Sequence, residues 1–293
     1  MSNAMTATQA ITPELRAWIV EQASAGVSAE VVFKSMCDVG WNPDVAENAM
    51  ETVLTEHLQN INGANTIISD TADAAKALPE PALADSPGTI MVGGRAVTVL
   101  LVVKHPRVVV FGNLLSDDEC DALIAAAEPK MKRSLTVETK TGGEEVNADR
   151  TSDGMFFQRK ELSVVAALES RIAELLNWPE ENGEGLQILH YGPGAEYKPH
   201  YDYFDPSQPG TPTILKRGGQ RVGTLVMYLN NPEAGGGTTF PDIGLEVAPR
   251  RGNAVFFSYA APNPATKTLH GGAPVVRGEK WIATKWLREG EFK

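Results

Sequence analysis

The run Leu189-His190-Tyr191-Gly192-Pro193-Gly194-Ala195-Glu196-Tyr197-Lys198-Pro199-His200-Tyr201-Asp202-Tyr203-Phe204 decides how this chain is read. It reads as a strand, a Gly/Pro turn and a second strand, rich in aromatic residues. Along an extended strand the side chains alternate faces, so His200 and Asp202 point one way and Tyr201 the other. A third candidate ligand, His270, stands in Leu269-His270-Gly271-Gly272-Ala273-Pro274-Val275. Two imidazoles and one carboxylate leave open positions on an octahedral metal, the arrangement that suits Fe(II) in oxygen-activating enzymes. Lys280, in Gly278-Glu279-Lys280-Trp281, then offers a fixed cation for an acidic cosubstrate.

A bare His-x-Asp arises by chance in many chains, and a lone strand histidine is more often a satisfied core residue than a ligand. His190, His57 and His105 are read in that ordinary way. His200 and Asp202 are raised above it by their company. Lys280, Ile282, Thr284 and Trp286 share one face at period two, and that face reads as inward.

Outward from these motifs, short strands are separated by Gly/Pro turns over residues 185–191, 221–230, 237–240, 253–258 and 279–288. Earlier β-branched runs cover 96–103 and 107–111. A helix follows, with Ser116 as cap, Glu119 as its capping-box partner, and Leu123, Ile124 and Ala127 inward. Another helix covers 163–176. Repeated short strands with such punctuation predict a sandwich or jelly roll.

The N-terminal region has a different character. Thr12-Pro13 opens a helix with Leu15, Trp18, Ile19 and Gln22 at helical spacing; Ser28 caps a second; Asn42-Pro43 opens a third carrying Val45, Ala46, Ala49, Met50 and Val53. The expected organisation is a small three-helix domain over 1–60, a linker over 61–95 and a catalytic domain over 96–293. The linker is Ala-, Asp- and Pro-rich, with helical character around 71–78. The N-terminal helices resemble a ubiquitin-associated module only loosely; they read as a packing or dimerisation domain, with a protein partner as the open alternative.

The net charge of −11 and the pI near 5.0 argue against a general nucleic-acid or anionic-membrane binder. Cys37 and Cys120 fall in different expected domains and form neither a disulfide framework nor a zinc site, so a reducing cytoplasm is expected. No apolar run reaches the roughly 20 residues of a bilayer span. The opening lacks the basic and apolar regions of a signal peptide, and Met1-Ser2-Asn3-Ala4 before Met5 has the form of an expression-tag scar.

Residues 106–289 resemble the prolyl 4-hydroxylase branch of the Fe(II)/2-oxoglutarate-dependent dioxygenases. The resemblance rests on His-x-Asp, a distal His, a Lys ten positions beyond it, and the Arg-Val-x-Thr-x-x-x-Tyr-Leu strand at 221–229. It implies a mainly β fold with flanking helices: a double-stranded β-helix, in which two sheets face each other and helices support one side. It implies iron ligands at His200, Asp202 and His270. Lys280 and Tyr191 then pair with the distal carboxylate of 2-oxoglutarate, with Thr239 as a further donor. Tyr197, Arg221 and Trp286 match positions lining a peptide cleft, and Arg150 matches a mobile segment that closes over substrate. Arg221 could instead pair with a nearby carboxylate, and Trp286 could be core.

The resemblance implies O2 as a second cosubstrate, ascorbate as reductant, and a proline-containing peptide or protein as substrate, with succinate and CO2 as co-products. One departure stands out: Trp286-Leu287-Arg288 replaces the Trp-Ile/Leu-His of the collagen- and plant-type enzymes, which puts the peptide preference in doubt. The collagen enzyme's separate peptide-binding domain is not expected here. The same core could act on another peptide residue, a free amino acid or a small metabolite, or serve as a silent sensor of 2-oxoglutarate or metal.

Overall fold

The computed structural model describes residues 11–24, 28–54, 77–134, 136–137, 144–145 and 150–293. The chain divides into two units, Met1–Ala75 and Lys76–Lys293.

In the first unit, α1 (Pro13–Ser24) and α2 (Ala29–Asp38) are followed by α3, helical over residues 43–54. Thr12 Oγ1 accepts the Leu15 N–H at 3.3 Å, and Asn42 Oδ1 accepts the N–H of Asp44 at 3.0 Å, so both expected caps form. Ser28 occupies the N-cap of α2, but its hydroxyl makes no capping bond. Ile19, Val32, Met36, Ala46, Ala49, Met50 and Val53 close a small core among the three helices. His57 and residues 71–76 of the helical stretch expected over 71–78 lie outside the described residues; residues 77–78 are not helical.

The strands of the second unit are, in chain order, β1 (Thr89–Val92), β2 (Arg95–Val103), β3 (Arg107–Gly112), β4 (Lys132–Arg133), β5 (Thr136–Val137), β6 (Glu144–Glu145), β7 (Asp153–Phe157), β8 (Leu186–Tyr191), β9 (Tyr197–His200), β10 (Arg221–Tyr228), β11 (Ala234–Gly235), β12 (Thr238–Phe240), β13 (Leu245–Val247), β14 (Ala254–Ser258), β15 (His270–Gly272), β16 (Val275–Arg277) and β17 (Lys280–Arg288). A large antiparallel sheet runs β1-β2-β3-β14-β10-β17-β8-β7-β4, and a smaller one runs β13-β12-β15-β9. This is the mostly antiparallel, helix-flanked jelly-roll architecture expected. Strand β1 is a difference: Thr89–Val92 pairs with Arg95–Thr98, so the sheet begins inside the stretch read as linker. Its polar and Gly-rich flanks hid it.

Period-two alternation divides the apolar residues of the large sheet between two cores. Leu225, Met227, Ala254, Phe256, Trp281 and Ala283 face a layer that holds Leu123 of α4 (Asp117–Ala127) and Leu168 and Ile172 of α5 (Ser163–Leu176). Val226, Tyr228, Val255, Phe257 and Ile282 point into the other core, with Phe240 and Val247 of the small sheet. Both faces are covered, so these strands read as continuous apolar runs rather than as a clean alternation. The capping box at Ser116 and Glu119 forms, and Arg171 of α5 reaches back to Glu119 at 2.7 Å, bracing the two helices together.

Candidate metal centre

His270 of β15 lies directly opposite His200 of β9 in the antiparallel ladder of the small sheet. Strand β9 ends at His200, so a bend rather than the pleat brings Asp202 alongside. Gly271 permits the close approach of the two strands. A Cβ there would lie 2.8 Å from Tyr197 O and 3.1 Å from Pro199 N, against immovable backbone.

The three side chains meet. His200 Nε2 is 3.5 Å from Asp202 Oδ1, and His270 Nε2 is 3.3 Å from Asp202 Oδ2. One donor atom from each lies within 4.8 Å of the others, the one such cluster among the described residues. The tautomers follow from the hydrogen bonds. Each Nδ1 sits 2.9 Å from a backbone carbonyl, Lys198 O for His200 and Thr268 O for His270. A carbonyl only accepts, so each Nδ1 carries a proton and each Nε2 faces the cluster.

Burial opposes ionisation of Asp202, but the adjacent His270 and His200 outweigh it and hold the carboxyl well below its usual range. Burial, reinforced by His270, pushes His200 down. Two imidazole nitrogens and one carboxylate oxygen are the donor set that fits Fe(II).

Lys280 opens β17 opposite Tyr191 of β8 and is 2 % exposed. Its ammonium donates to Gly236 O at 2.8 Å and stands 4.7 Å from the centre of the Tyr191 ring. No carboxylate pairs with it among the described residues, and burial pushes it down to about 8. An uncompensated buried ammonium is costly, and a dicarboxylate entering the pocket would relieve it.

One pocket is lined by His200, Asp202, His270, Lys280, Tyr191, Tyr197, Trp286 and Arg150, bringing together eight of the ten expected site residues. Tyr197 stacks on His200 with centroids 3.7 Å apart, and the Arg150 guanidinium lies 4.9 Å over the Tyr197 ring. Arg150 also donates to Gln187 Oε1 at 2.9 Å; of the segment 150–155, expected to be mobile, Asp153, Gly154 and Met155 belong to strand β7. Trp286 forms a buried wall whose indole N–H has no acceptor among the described residues.

Two expectations need correction. Thr239 does not line the pocket: its hydroxyl donates to Gly271 O at 3.3 Å, while Thr238 faces inward and accepts from Tyr228 at 2.7 Å. In a strand, neighbours point to opposite faces, so Thr238 rather than Thr239 lines the pocket. Arg221 sits behind Trp286, its guanidinium 4.0 Å from that ring, and forms a bidentate pair with Glu184 at 2.7 and 3.0 Å. Arg288, which departs from the family pattern, is buried on the same carboxylate at 2.6 Å. His190 keeps its ordinary role, bonded to Glu279 at 2.8 Å and packed on Trp281.

The sequence reading missed Thr224, Thr238 and Glu184. Thr224 Oγ1 lies 2.7 Å from Asp202 Oδ2, a contact across 22 positions with no local signal. Glu184 was reachable only indirectly, because a buried arginine needs a carboxylate.

Comparison with known proteins agrees with this geometry. Residues 186–288 match the family model described as the 2OG-Fe(II) oxygenase superfamily. Prolyl 4-hydroxylase 5 of Arabidopsis thaliana is 42% identical over 216 residues, spanning 67% of this chain and 72% of the relative. Probable prolyl 4-hydroxylase 3 of the same plant is 41% identical over 210 residues, 64% of this chain and 71% of the relative. Among solved structures, the viral collagen prolyl hydroxylase of Paramecium Bursaria Chlorella virus-1, in its 2OG complex, is 33% identical. It covers 62% of this chain and 95% of its own, with a TM-score of 0.47. On its similarity to the two Arabidopsis relatives the chain belongs to the prolyl 4-hydroxylase family of 2OG-Fe(II) oxygenases.

Proposed function

We propose that this Fe(II)- and 2-oxoglutarate-dependent dioxygenase hydroxylates prolyl residues at the 4-position in peptides or proteins, releasing succinate and CO2. The observation that carries the reading is Lys280, a buried ammonium with no carboxylate partner among the described residues, facing the pocket of His200, Asp202 and His270. Bound Fe(II) supplies the oxygen activation that couples decarboxylation of 2-oxoglutarate to hydroxylation of a substrate carbon.

The residues divide the remaining tasks. His200, Asp202 and His270 hold the metal through two Nε2 atoms and a carboxylate oxygen. Lys280 pairs with the distal carboxylate of the cosubstrate beside Tyr191, and Thr238 lines the same pocket. Tyr197 and Trp286 offer aromatic faces to a proline ring; the Trp286 N–H, without an acceptor among the described residues, offers a donor to a peptide carbonyl, and Arg150 lines the same pocket. Arg221 acts from behind, stiffening the Trp286 wall. No side chain is assigned as general base. Ascorbate serves as reductant.

The test is mass spectrometry of proline-rich peptides after incubation with iron, 2-oxoglutarate and ascorbate. An added oxygen on proline, with equimolar succinate, is expected. Succinate release driven by a free amino acid, with every peptide unmodified, would overturn the peptide assignment.

We further infer that the N-terminal helices form a separate packing or dimerisation domain, joined by a linker, on the support of their own closed core. Cytoplasmic placement is supported by the free thiols of Cys37 and Cys120. Among the described residues no helix is long and apolar enough to cross a membrane.

A further inference from the structure

Tyr259 follows directly on β14 and extends the β10–β14 ladder, its N–H donating to Val222 O at 3.1 Å. Phe257 lies opposite Thr224 in that ladder, and period two puts Tyr259 on the same inward face. The Tyr259 ring is 2% exposed, with Tyr203 and Phe257 centroids 6.1 and 6.3 Å away. Its hydroxyl is 3.0 Å from Thr224 Oγ1, which is itself 2.7 Å from Asp202 Oδ2.

The direction of these bonds is determined. An ionised carboxylate only accepts, so the single Thr224 proton goes to Asp202. With that proton committed, Thr224 can only accept from Tyr259. The chain therefore runs Tyr259 O–H to Thr224 O–H to Asp202, and each bond polarises the next.

We propose that Tyr259 and Thr224 form a positioning relay that fixes the Asp202 carboxylate for the metal, with Tyr259 acting only through Thr224. The proposal rests on His200, Asp202 and His270 being the metal ligands. The relay holds one carboxylate oxygen in place, so the carboxylate cannot rotate freely while the two histidines remain fixed by their backbone carbonyls. Losing such an outer partner weakens metal binding by roughly 10–100-fold.

The test is a double-mutant cycle read by Co(II) titration of the full-length protein, followed by visible absorption. Thr224→Val is expected to weaken Co(II) binding by about 10–100-fold, and Tyr259→Phe, which keeps the ring, by about tenfold. In the Thr224→Val background Tyr259→Phe should have no further effect, and Thr224→Ser should restore both the affinity and the sensitivity to Tyr259→Phe. Should Thr224→Val fail to fold by circular dichroism, Thr224→Ala takes its place. An unchanged Co(II) affinity in Tyr259→Phe, or an equal loss in both backgrounds, would overturn the relay. A wild-type protein that binds no Co(II) would remove the metal reading itself.

Discussion

Lys280 and Tyr191 face each other across the β17–β8 ladder, with the ammonium 4.7 Å from the ring centre. The ring and the Gly236 carbonyl are poor substitutes for an anion, and burial pushes the amine down to about 8. Binding of 2-oxoglutarate requires the protonated form. Below pH 8 the cation is already present; above it, binding must take up a proton. The dissociation constant for 2-oxoglutarate therefore rises with pH above about 8, approaching tenfold per unit. Titrations spanning that value check the slope, and a flat profile would argue against Lys280 as the anchor.

The same amine carries an opposite prediction for stability. An unfolded lysine titrates near 10.4, so between about 8 and 10.4 the unfolded chain binds more protons than the native one. Stability of the cosubstrate-free protein therefore rises with pH across that window. Lys280→Met should raise the melting temperature at neutral pH while weakening 2-oxoglutarate binding by roughly 2–5 kcal/mol. A variant that melts lower and binds normally would contradict both parts.

Much of this pocket was legible because β17 is long. Over nine residues the alternation of Lys280, Ile282, Thr284 and Trp286 leaves no doubt about phase, and the register with β8 and β10 agrees. Strand β12 has three residues, too few to establish phase, and a one-residue slip exchanged Thr238 for Thr239. The Thr224–Asp202 and Arg221–Glu184 contacts join positions 22 and 37 apart. Such pairings arise from sheet topology, which local patterns do not encode. The helices were readable for the converse reason: a cap and a repeating stripe are local, and α5 begins and ends where its apolar spacing does.

On the helix-facing side of β17, Lys285 is bonded to Glu169 of α5 at 2.5 Å and also donates to Glu184 O. Both side chains are buried. Lys285→Ala leaves a carboxylate without its cation and should cost about 3–5 kcal/mol in urea unfolding. Replacing both partners by Lys285→Met and Glu169→Leu should recover most of that loss. Equal midpoints for the single and double variants would show that the pair does not tie α5 to the sheet.

Glu184 holds Arg221 and Arg288 together beside Trp286. Glu184→Gln removes the charge from both pairs and should cost about 1.5–3 kcal/mol of stability. The peptide KM should rise as the Trp286 wall loosens, with 2-oxoglutarate affinity unchanged because Lys280 is untouched. A matching rise in both constants would show that Glu184 supports the whole pocket instead.

The most direct test of the metal assignment is an anaerobic Fe(II) titration by calorimetry of the wild-type chain beside Asp202→Ala and His270→Ala. One equivalent of iron should bind the wild type, and neither variant should retain that affinity. Undiminished binding in either variant would mean that iron, if this protein holds it, sits on other atoms.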